Sequence, residues 1–418
     1  MKSILLKNVL LENQDSDILI EDNKFSEIAR GNSLQGNENT KIIDCKNLAI
    51  LPPFYNAHTH AAMSILRGVA DDLPLFDWLS KYIWPLEKKL TPEDIYIGSR
   101  LAILEMIRSG TVFFSDMYWY RTETIKAVEE MGIRATIGVT FAENLPHDPF
   151  ETYFDFLKEN KNKYERIQLA VMPHSVYTVG PSLFKKLGEF ARAENLILHT
   201  HIAETKKEVE DCFKEHGKTP VEYLNDLGVI DSNFIGAHAI YVTEQEMEIL
   251  SRKKATVAHN PASNLKLSSG IFCTEKMLEH QVDITLGTDG ASSNNNLDMH
   301  EAMKLAALLA KQNNPEILNA KEALNIATRC GAKAYGIHAG HIQKGMLADA
   351  LLIERNNERL IPDYNLISNW VYAADSRAIH SVICNGKFVM ENKVVLHETE
   401  IIESAKELAK KIRRDFKI

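Results

Sequence analysis

Apolar positions alternate with polar ones at both ends of the chain and follow a longer cycle in between. Near the N-terminus, SILLKNVLL (3–11), DILIED (17–22) and KIIDCKNLAIL (41–51) are short apolar runs separated by polar breaks. Near the C-terminus, ADALLIE (348–354) and AIHSVICNGKFVMENKVVL (378–396) behave in the same way. Runs of this length and alternation predict β-strands. Asn385-Gly386 predicts a two-residue hairpin turn, because both residue types accept the positive φ that such turns need. The two ends are therefore expected to build one small β-sandwich from residues 1–52 and 345–418.

Between them, residues 53–344 repeat strand, loop and helix. The strand-like runs are AILPPFYNA (49–57), TVFFSDM (111–117), IRATIGV (133–139), IQLAVMP (167–173), LILHTHI (196–202), FIGAHA (234–239), ATVAHN (255–260) and DITLGT (283–288). Helical stretches follow most of them. Thr91-Pro92-Glu93-Asp94 offers an N-cap hydroxyl, a proline at the first helical position and acids in the first turn, and the helix it opens is expected to stop near Gly110. Eight such units predict an α/β fold of the (β/α)8 TIM-barrel type. The alternative is a doubly wound open sheet, but no GxGxxG follows the first strand to support it.

In a barrel of this type the chemistry lies at the C-terminal ends of the strands. The first run ends in His58-Thr59-His60, the second in Asp116 and the fourth in His174. The fifth carries His199 and His201, with Glu204 just beyond. The sixth holds His238, the seventh His259, and the eighth leads into Asp289. Only 15 of 418 residues are histidine, so this concentration at strand ends is not chance placement. His58 and His60 are two apart on a strand and share a face, so both imidazoles can grip one ion. His199 and His201 share a face for the same reason, and the spacing leaves either as the third ligand. Three imidazoles and a carboxylate suit Zn2+ or a similar divalent ion with one position open to water. Singly, each histidine reads as an ordinary hydrogen-bonded side chain; the set does not. HExxH, the H-x-E…P-C-x-x-C pattern, GxSxG and the P-loop are all absent from the sequence.

Composition narrows the field. A formal net charge of −9 without a basic block argues against nucleic acid or an anionic membrane as partner. The N-terminal apolar run turns polar by Glu12, so it reads as a first strand and not a signal peptide. No apolar run approaches the roughly 18 residues of a membrane span. The five cysteines are scattered without CxxC spacing, which suits a reducing, cytoplasmic location.

PPFYNAHTHAAMSILRGVADDLPLFDWL (52–79), IWPLEKKL (83–90), PHSVYT (173–178), HTHIAET (199–205), HNPASNLKLSSG (259–270) and LGTDGASSNNNLDM (286–299) together resemble the methylthioadenosine/S-adenosylhomocysteine deaminase group of the amidohydrolases, which includes 5′-deoxyadenosine deaminases. The likeness spans nearly the whole chain. HTH is shared by the entire superfamily, whereas WPLE, HNPASNLKL and LGTDG are far more specific.

The resemblance implies a metal-dependent hydrolytic deaminase of an adenosine-type nucleoside, with one divalent ion per chain held by His58, His60, His201 and Asp289. In the family the third ligand lies three residues before the glutamate, which selects His201 and leaves His199 behind it. Binuclear relatives carry a lysine at the end of strand four, where this chain has Pro173-His174. Zinc is the expected metal; iron and manganese also fit. Glu204 is implied as proton donor to the ring, Asp289 as ligand and proton acceptor, and His238 as the group holding the attacking hydroxide or the developing oxyanion. Glu204 and Asp289 also contact the substrate, Glu87 is implied for the ribose diol and His174 for the nucleoside. Asp116 is expected to be a structural acid.

Two positions depart from the family pattern. Pro-Gly before the HTH strand is Pro52-Pro53 here. The arginine that relatives place in or after the third strand is missing from GVTFAENLPHDPFETYF (138–154), with Arg121 as a substitute cation. Two other readings are a deaminase or chlorohydrolase of another N-heterocycle (guanine, pterin or triazine) and a non-catalytic assembly protein of the same fold. The expected partner is a small-molecule nucleoside; a homo-oligomer is compatible with the sequence.

Overall fold

A computed structural model of the protein describes residues 3–143 and 148–416. Five strands come first: β1 (Ser3–Leu11), β2 (Gln14–Glu21), β3 (Lys24–Arg30), β4 (Thr40–Asp44) and β5 (Leu48–Leu51). Glu12 and Asn13, both left-handed with φ of 48° and 64°, turn β1 into β2. The eight barrel strands follow: β6 (Phe54–Thr59), β7 (Thr111–Asp116), β8 (Arg134–Phe141), β9 (Ile167–Pro173), β10 (Ile197–Ile202), β11 (Phe234–His238), β12 (Thr256–His259) and β13 (Asp283–Leu286). Four more close the chain: β14 (Ala350–Glu354), β15 (Ile379–Cys384), β16 (Lys387–Glu391) and β17 (Val394–Val395).

Both termini feed one nine-stranded sheet in the order β17-β16-β15-β14-β5-β1-β2-β3, with β4 on β1. The join is the antiparallel pair β14–β5. Leu6, Val9, Ile18, Ile50, Leu352 and Ile383 give this sheet a core of its own. Asn385 and Gly386 form the expected turn, with φ of 52° and 73°.

The apolar run 49–57 is two strands, not one. Ala49–Leu51 belongs to β5 and Phe54–Thr59 to β6. Pro52 and Pro53 lack the N–H groups a ladder needs, so the pairing breaks there and the chain crosses from one sheet to the other.

Strands β6 to β13 lie side by side in sequence order and are all parallel. That order contains no reversal point, so the open doubly wound alternative is excluded. The seam between β13 and β6 is closed by individual bonds. The Asp289 amide donates to the His58 carbonyl at 2.9 Å. Asn56 Nδ2 donates to Thr288 Oγ1 at 2.7 Å, and the Thr288 amide donates to Asn56 Oδ1 at 3.1 Å. A Cβ at Gly287 would lie 2.8 Å from the His58 carbonyl oxygen, so only glycine lets the strands approach this closely. The seam sets Asp289 beside His58.

The helix Pro92–Arg108 starts at the expected Thr91 N-cap, which forms a capping box with Asp94, and stops at Ser109, before Gly110 with φ of 88°. The C-terminal helix, Glu398–Phe416, lies across it. Lys411 Nζ meets Asp94 at 2.9 Å and Arg100 meets Glu400 at 2.8 Å. Leu408 and Ile412 share a cluster with Ile95, Trp78 and Leu79, under the first βα excursion. Among the described residues no helix is long and apolar enough to cross a membrane.

A buried polar knot ties the barrel to the small sheet. Asp349 accepts from Tyr55 Oη at 2.7 Å, Arg134 Nε at 3.0 Å and the Asn385 amide at 2.6 Å. Asp349→Ala strands the buried Arg134 guanidinium without its carboxylate. It is expected to lower the unfolding free energy by about 3–5 kcal/mol, read as an earlier urea midpoint at unchanged metal content.

Candidate active site

The strand ends of β6, β10, β11 and β13 bring four imidazoles and a carboxylate together. His60 Nδ1 donates to the Met117 carbonyl at 2.6 Å, and His201 Nδ1 donates to the His174 carbonyl at 2.7 Å. Each Nε2 lone pair therefore turns inward, and the two nitrogens face one another across 3.3 Å. His58 Nδ1 meets His199 Nε2 at 3.1 Å, while His58 Nε2 is buried without a hydrogen-bond partner among the described residues. Asp289 Oδ1 lies 3.1 Å from His60 Nε2 and 3.6 Å from His58 Nε2. Asp289 Oδ2 is occupied by the hydroxyls of Ser263 and Ser293, at 2.5 and 3.0 Å. Lone pairs converging at this range repel unless they share a cation, so the donor set fits a divalent ion.

Electrostatics favour neutral, ligand-competent rings at every histidine of the cluster except His60. Burial, followed by the neighbouring rings, holds His58 and His201 well below the usual imidazole range. Burial takes His174, His199 and His259 down to about 3. Burial opposes ionisation of both His60 and Asp289, but their contact prevails: His60 rises to about 9 and Asp289 stays far below the usual carboxylate range. Glu204 goes the other way. Burial, then the Asp289 charge, pushes it up to about 8.

His238 lies over the cluster. Its Nδ1 donates to Asn264 Oδ1 at 2.8 Å, and its Nε2 is 3.9 Å from Glu204 Oε2. Four non-glycine residues at the ends of these strands are left-handed: Ala203, His238, Ala239 and Asp289, with φ of 49°, 73°, 47° and 62°. Backbone strain of this kind concentrates where a side chain must be aimed.

The cluster forms the floor of a partly open pocket. His60, His201, His238, Asp289, Glu204, His174 and Glu87 all line it. Glu87 ends the helical stretch Leu75–Glu87 and is flanked by Tyr118 and Trp119; burial raises its carboxyl to about 7. His199 sits behind His58, with Tyr335 Oη and Ser115 Oγ at 3.3 and 3.4 Å from its Nδ1. Asp116 is outside the cavity lining and accepts from the Ala61 amide at 2.7 Å. His259 is also outside it, stacked on Phe272 at 4.4 Å. Arg121 is not a lining residue either: its guanidinium packs over Tyr153 and Phe156 at 4.7 and 4.3 Å.

The sequence matches the Amidohydrolase family over residues 49–389. The chain belongs to the amidohydrolase family. A 5′-deoxyadenosine deaminase of Methanosphaera stadtmanae is 41% identical over 422 residues, covering 98% of this amidohydrolase and 99% of that protein. A 5-methylthioadenosine/S-adenosylhomocysteine deaminase of Thermococcus sibiricus is 42% identical over 403 residues, covering 93% and 94%. Among solved structures, an adenosine deaminase of Xanthomonas campestris with bound zinc superposes with a TM-score of 0.93 at 29% identity, over 99% of this amidohydrolase and 98% of that chain. The family is metal-dependent, and the clustered histidines and Asp289 are this amidohydrolase's candidate for that metal.

The sequence reading missed the cavity's walls. Trp78, Trp84, Tyr118, Trp119 and Tyr177 line it, with Leu75, Leu79 and Leu267. The signal was present in LPLFDWLSKYIWPLE, which is too apolar for a solvated connection. Ser263, Asn264 and Ser293 lie within the HNPASNLKLSSG and LGTDGASSNNNLDM stretches, but only the fold brings them to Asp289 and His238.

Proposed function

We propose that this amidohydrolase replaces the exocyclic amine of an adenosine-type nucleoside with oxygen from water, releasing ammonia and the inosine analogue. The observation that carries the reading is one cavity in which Glu204, Asp289 and His238 surround the imidazole cluster while Glu87 waits among aromatic walls. The names of the relatives support the same substrate class. His58, His60, His201 and Asp289 would hold one divalent ion, zinc being the best fit to three nitrogens and one oxygen. Such an ion lowers the pKa of a bound water toward neutrality and so makes a nucleophile available.

The remaining steps fall to the chain's own side chains. Glu204 is neutral near pH 7 and delivers its proton to the ring nitrogen beside the amine-bearing carbon. That protonation draws electrons from the carbon under attack. Asp289, whose Oδ2 accepts from two serines, takes one proton of the attacking water and returns it to the exocyclic amine, which leaves as ammonia, while the second water proton restores Glu204. With Nδ1–H committed to Asn264, neutral His238 presents Nε2 as an acceptor for the water's O–H. The aromatic walls exclude solvent and bracket the purine face.

Glu87 is assigned to the ribose diol, since one carboxylate can accept from both hydroxyls. Each such bond to a charged acceptor contributes about 1.5–3 kcal/mol. Glu87→Gln should lower kcat/KM for ribonucleosides about ten- to a hundredfold, leave metal content intact and barely change a 2′,3′-dideoxy analogue. With the free carboxyl at about 7, it is protonated below that pH and one oxygen stops accepting. The advantage of ribose over dideoxyribose should therefore shrink as pH falls through 7. Equal losses on both sugars would show Glu87 to be structural.

The lining contains no lysine or arginine among the described residues; Asn144–His147, inside the segment that lacks the family arginine, lie outside them. A substrate carboxylate would forgo a charge-assisted pair of roughly 1.5–3 kcal/mol. Methylthioadenosine is expected to exceed S-adenosylhomocysteine in kcat/KM by about tenfold or more. Ammonia release measured across adenosine, 5′-deoxyadenosine, methylthioadenosine, S-adenosylhomocysteine, adenine and guanine tests both this order and the nucleoside assignment. Faster turnover of free bases would overturn the latter.

A further inference from the structure

We propose that Glu208 is a positioning residue for Glu204: its buried carboxylate grips the turn after β10 and so aims the Glu204 carboxyl into the cavity. This rests on the proton-donor role given to Glu204 above.

Thr205 caps the helix Lys206–His216, its hydroxyl accepting from the Glu208 amide at 3.1 Å. A Thr-x-x-Glu spacing ordinarily returns the carboxylate to the amide of the capping residue itself. Elsewhere in this chain it does, Glu222 accepting from the Thr219 amide at 3.1 Å and Glu246 from Thr243 at 2.8 Å, as do the related pairs Thr91–Asp94 at 2.9 Å and Asn319–Glu322 at 2.8 Å. Glu208 reaches past the cap. Its Oε1 accepts from the Ala203 amide at 2.9 Å and its Oε2 from the Glu204 amide at 2.8 Å.

Two successive amides pointing the same way form a concave anion site, and the left-handed Ala203 creates it here. Alanine does not hold a φ of 49° without support. The support is the Glu208 carboxylate on one side and the turn after β11 on the other, where the Ile240 and Tyr241 amides both donate to the Ala203 carbonyl at 3.0 Å. The turn that carries Glu204 is thereby locked to the turn that follows His238. Glu208 is 3% exposed and absent from the cavity lining, so it touches no substrate. An ordinary capping box would serve the helix without burying a second carboxyl next to Glu204.

The test is a double-mutant cycle on the full-length, metal-loaded enzyme with methylthioadenosine. Glu208→Gln keeps the side-chain length but turns an NH2 group toward one of the two amides. Its kcat should fall about ten- to a hundredfold, the scale of a misplaced catalytic group. KM and metal content should stay at their wild-type values, and the melting temperature should fall by only about a few degrees, since one buried amide loses its acceptor. In a Glu204→Gln background the same substitution should cost less than about twofold, because the group it aims is already gone. Full kcat in folded Glu208→Gln, a loss confined to KM, or equal fold-losses in both backgrounds would overturn the proposal. If Glu208→Gln does not fold, Glu208→Asp goes through the same cycle and is read in the same way. If Glu204→Gln alone keeps wild-type kcat, it is the role of Glu204 that fails, an outcome distinct from additive losses.

Discussion

Glu204→Gln is expected to lower kcat by about 10²–10⁴-fold, the range for loss of a positioned general acid. Glutamine fills the same space and still hydrogen-bonds the ring nitrogen, but it has no proton to give. Substrate contacts remote from the reacting carbon survive, so KM and metal content should hold. The pH profile supplies an independent check. Burial and the Asp289 charge raise the wild-type carboxyl to about 8, so the acid form is present below that pH and is lost as pH rises through it. Wild-type activity should therefore decline on the alkaline side, and the residual activity of Glu204→Gln should lack that limb. A variant retaining more than about a tenth of wild-type kcat would remove Glu204 from the chemistry.

Much of the site was legible because barrel strands are buried on both faces and read as nearly unbroken apolar runs. Histidine and aspartate at the ends of such runs stand out, and His58, His60, His174, His201, His238 and Asp289 do come together. The same continuity merged two strands of different sheets, β5 and β6, into the one apolar run 49–57. Periodicity could not separate His199 from His201. What separates them is a tertiary bond, the capture of His201 Nδ1 by the His174 carbonyl on the neighbouring strand. The cavity walls were out of reach for another reason. Trp78 and Trp84 lie in the helical connection Leu75–Glu87 and Trp119 in the loop after β7, so only the folded connections show that they face the cavity. Glu208 has the spacing of a helix-capping acid, but its bonds to Ala203 and Glu204 depend on a left-handed turn that spacing does not encode.

His201→Ala should abolish stable metal binding and, with it, turnover, whereas His199→Ala should only weaken both. Wild-type protein is expected to hold about one divalent ion per chain, as suits a set of three nitrogens and one carboxylate with an open position. His201 Nε2 faces His60 Nε2 directly, so removing it deletes a lone pair from the cluster. His199 acts one layer out. It pairs with His58 Nδ1 and is itself braced by Tyr335 and Ser115, so its loss frees the His58 ring without deleting a ligand atom. Removing such a partner typically costs 10–100-fold in affinity, and deletion of the ligand itself should cost more than about a hundredfold. Elemental analysis after dialysis, with activity measured before and after zinc is restored, distinguishes the two. Added zinc should rescue His199→Ala at saturating concentration and leave His201→Ala inactive. Two metals per chain in the wild type, or full occupancy in His201→Ala, would contradict the ligand set, and inactivity of His199→Ala at full occupancy would give His199 a role in the chemistry that its position behind His58 does not support.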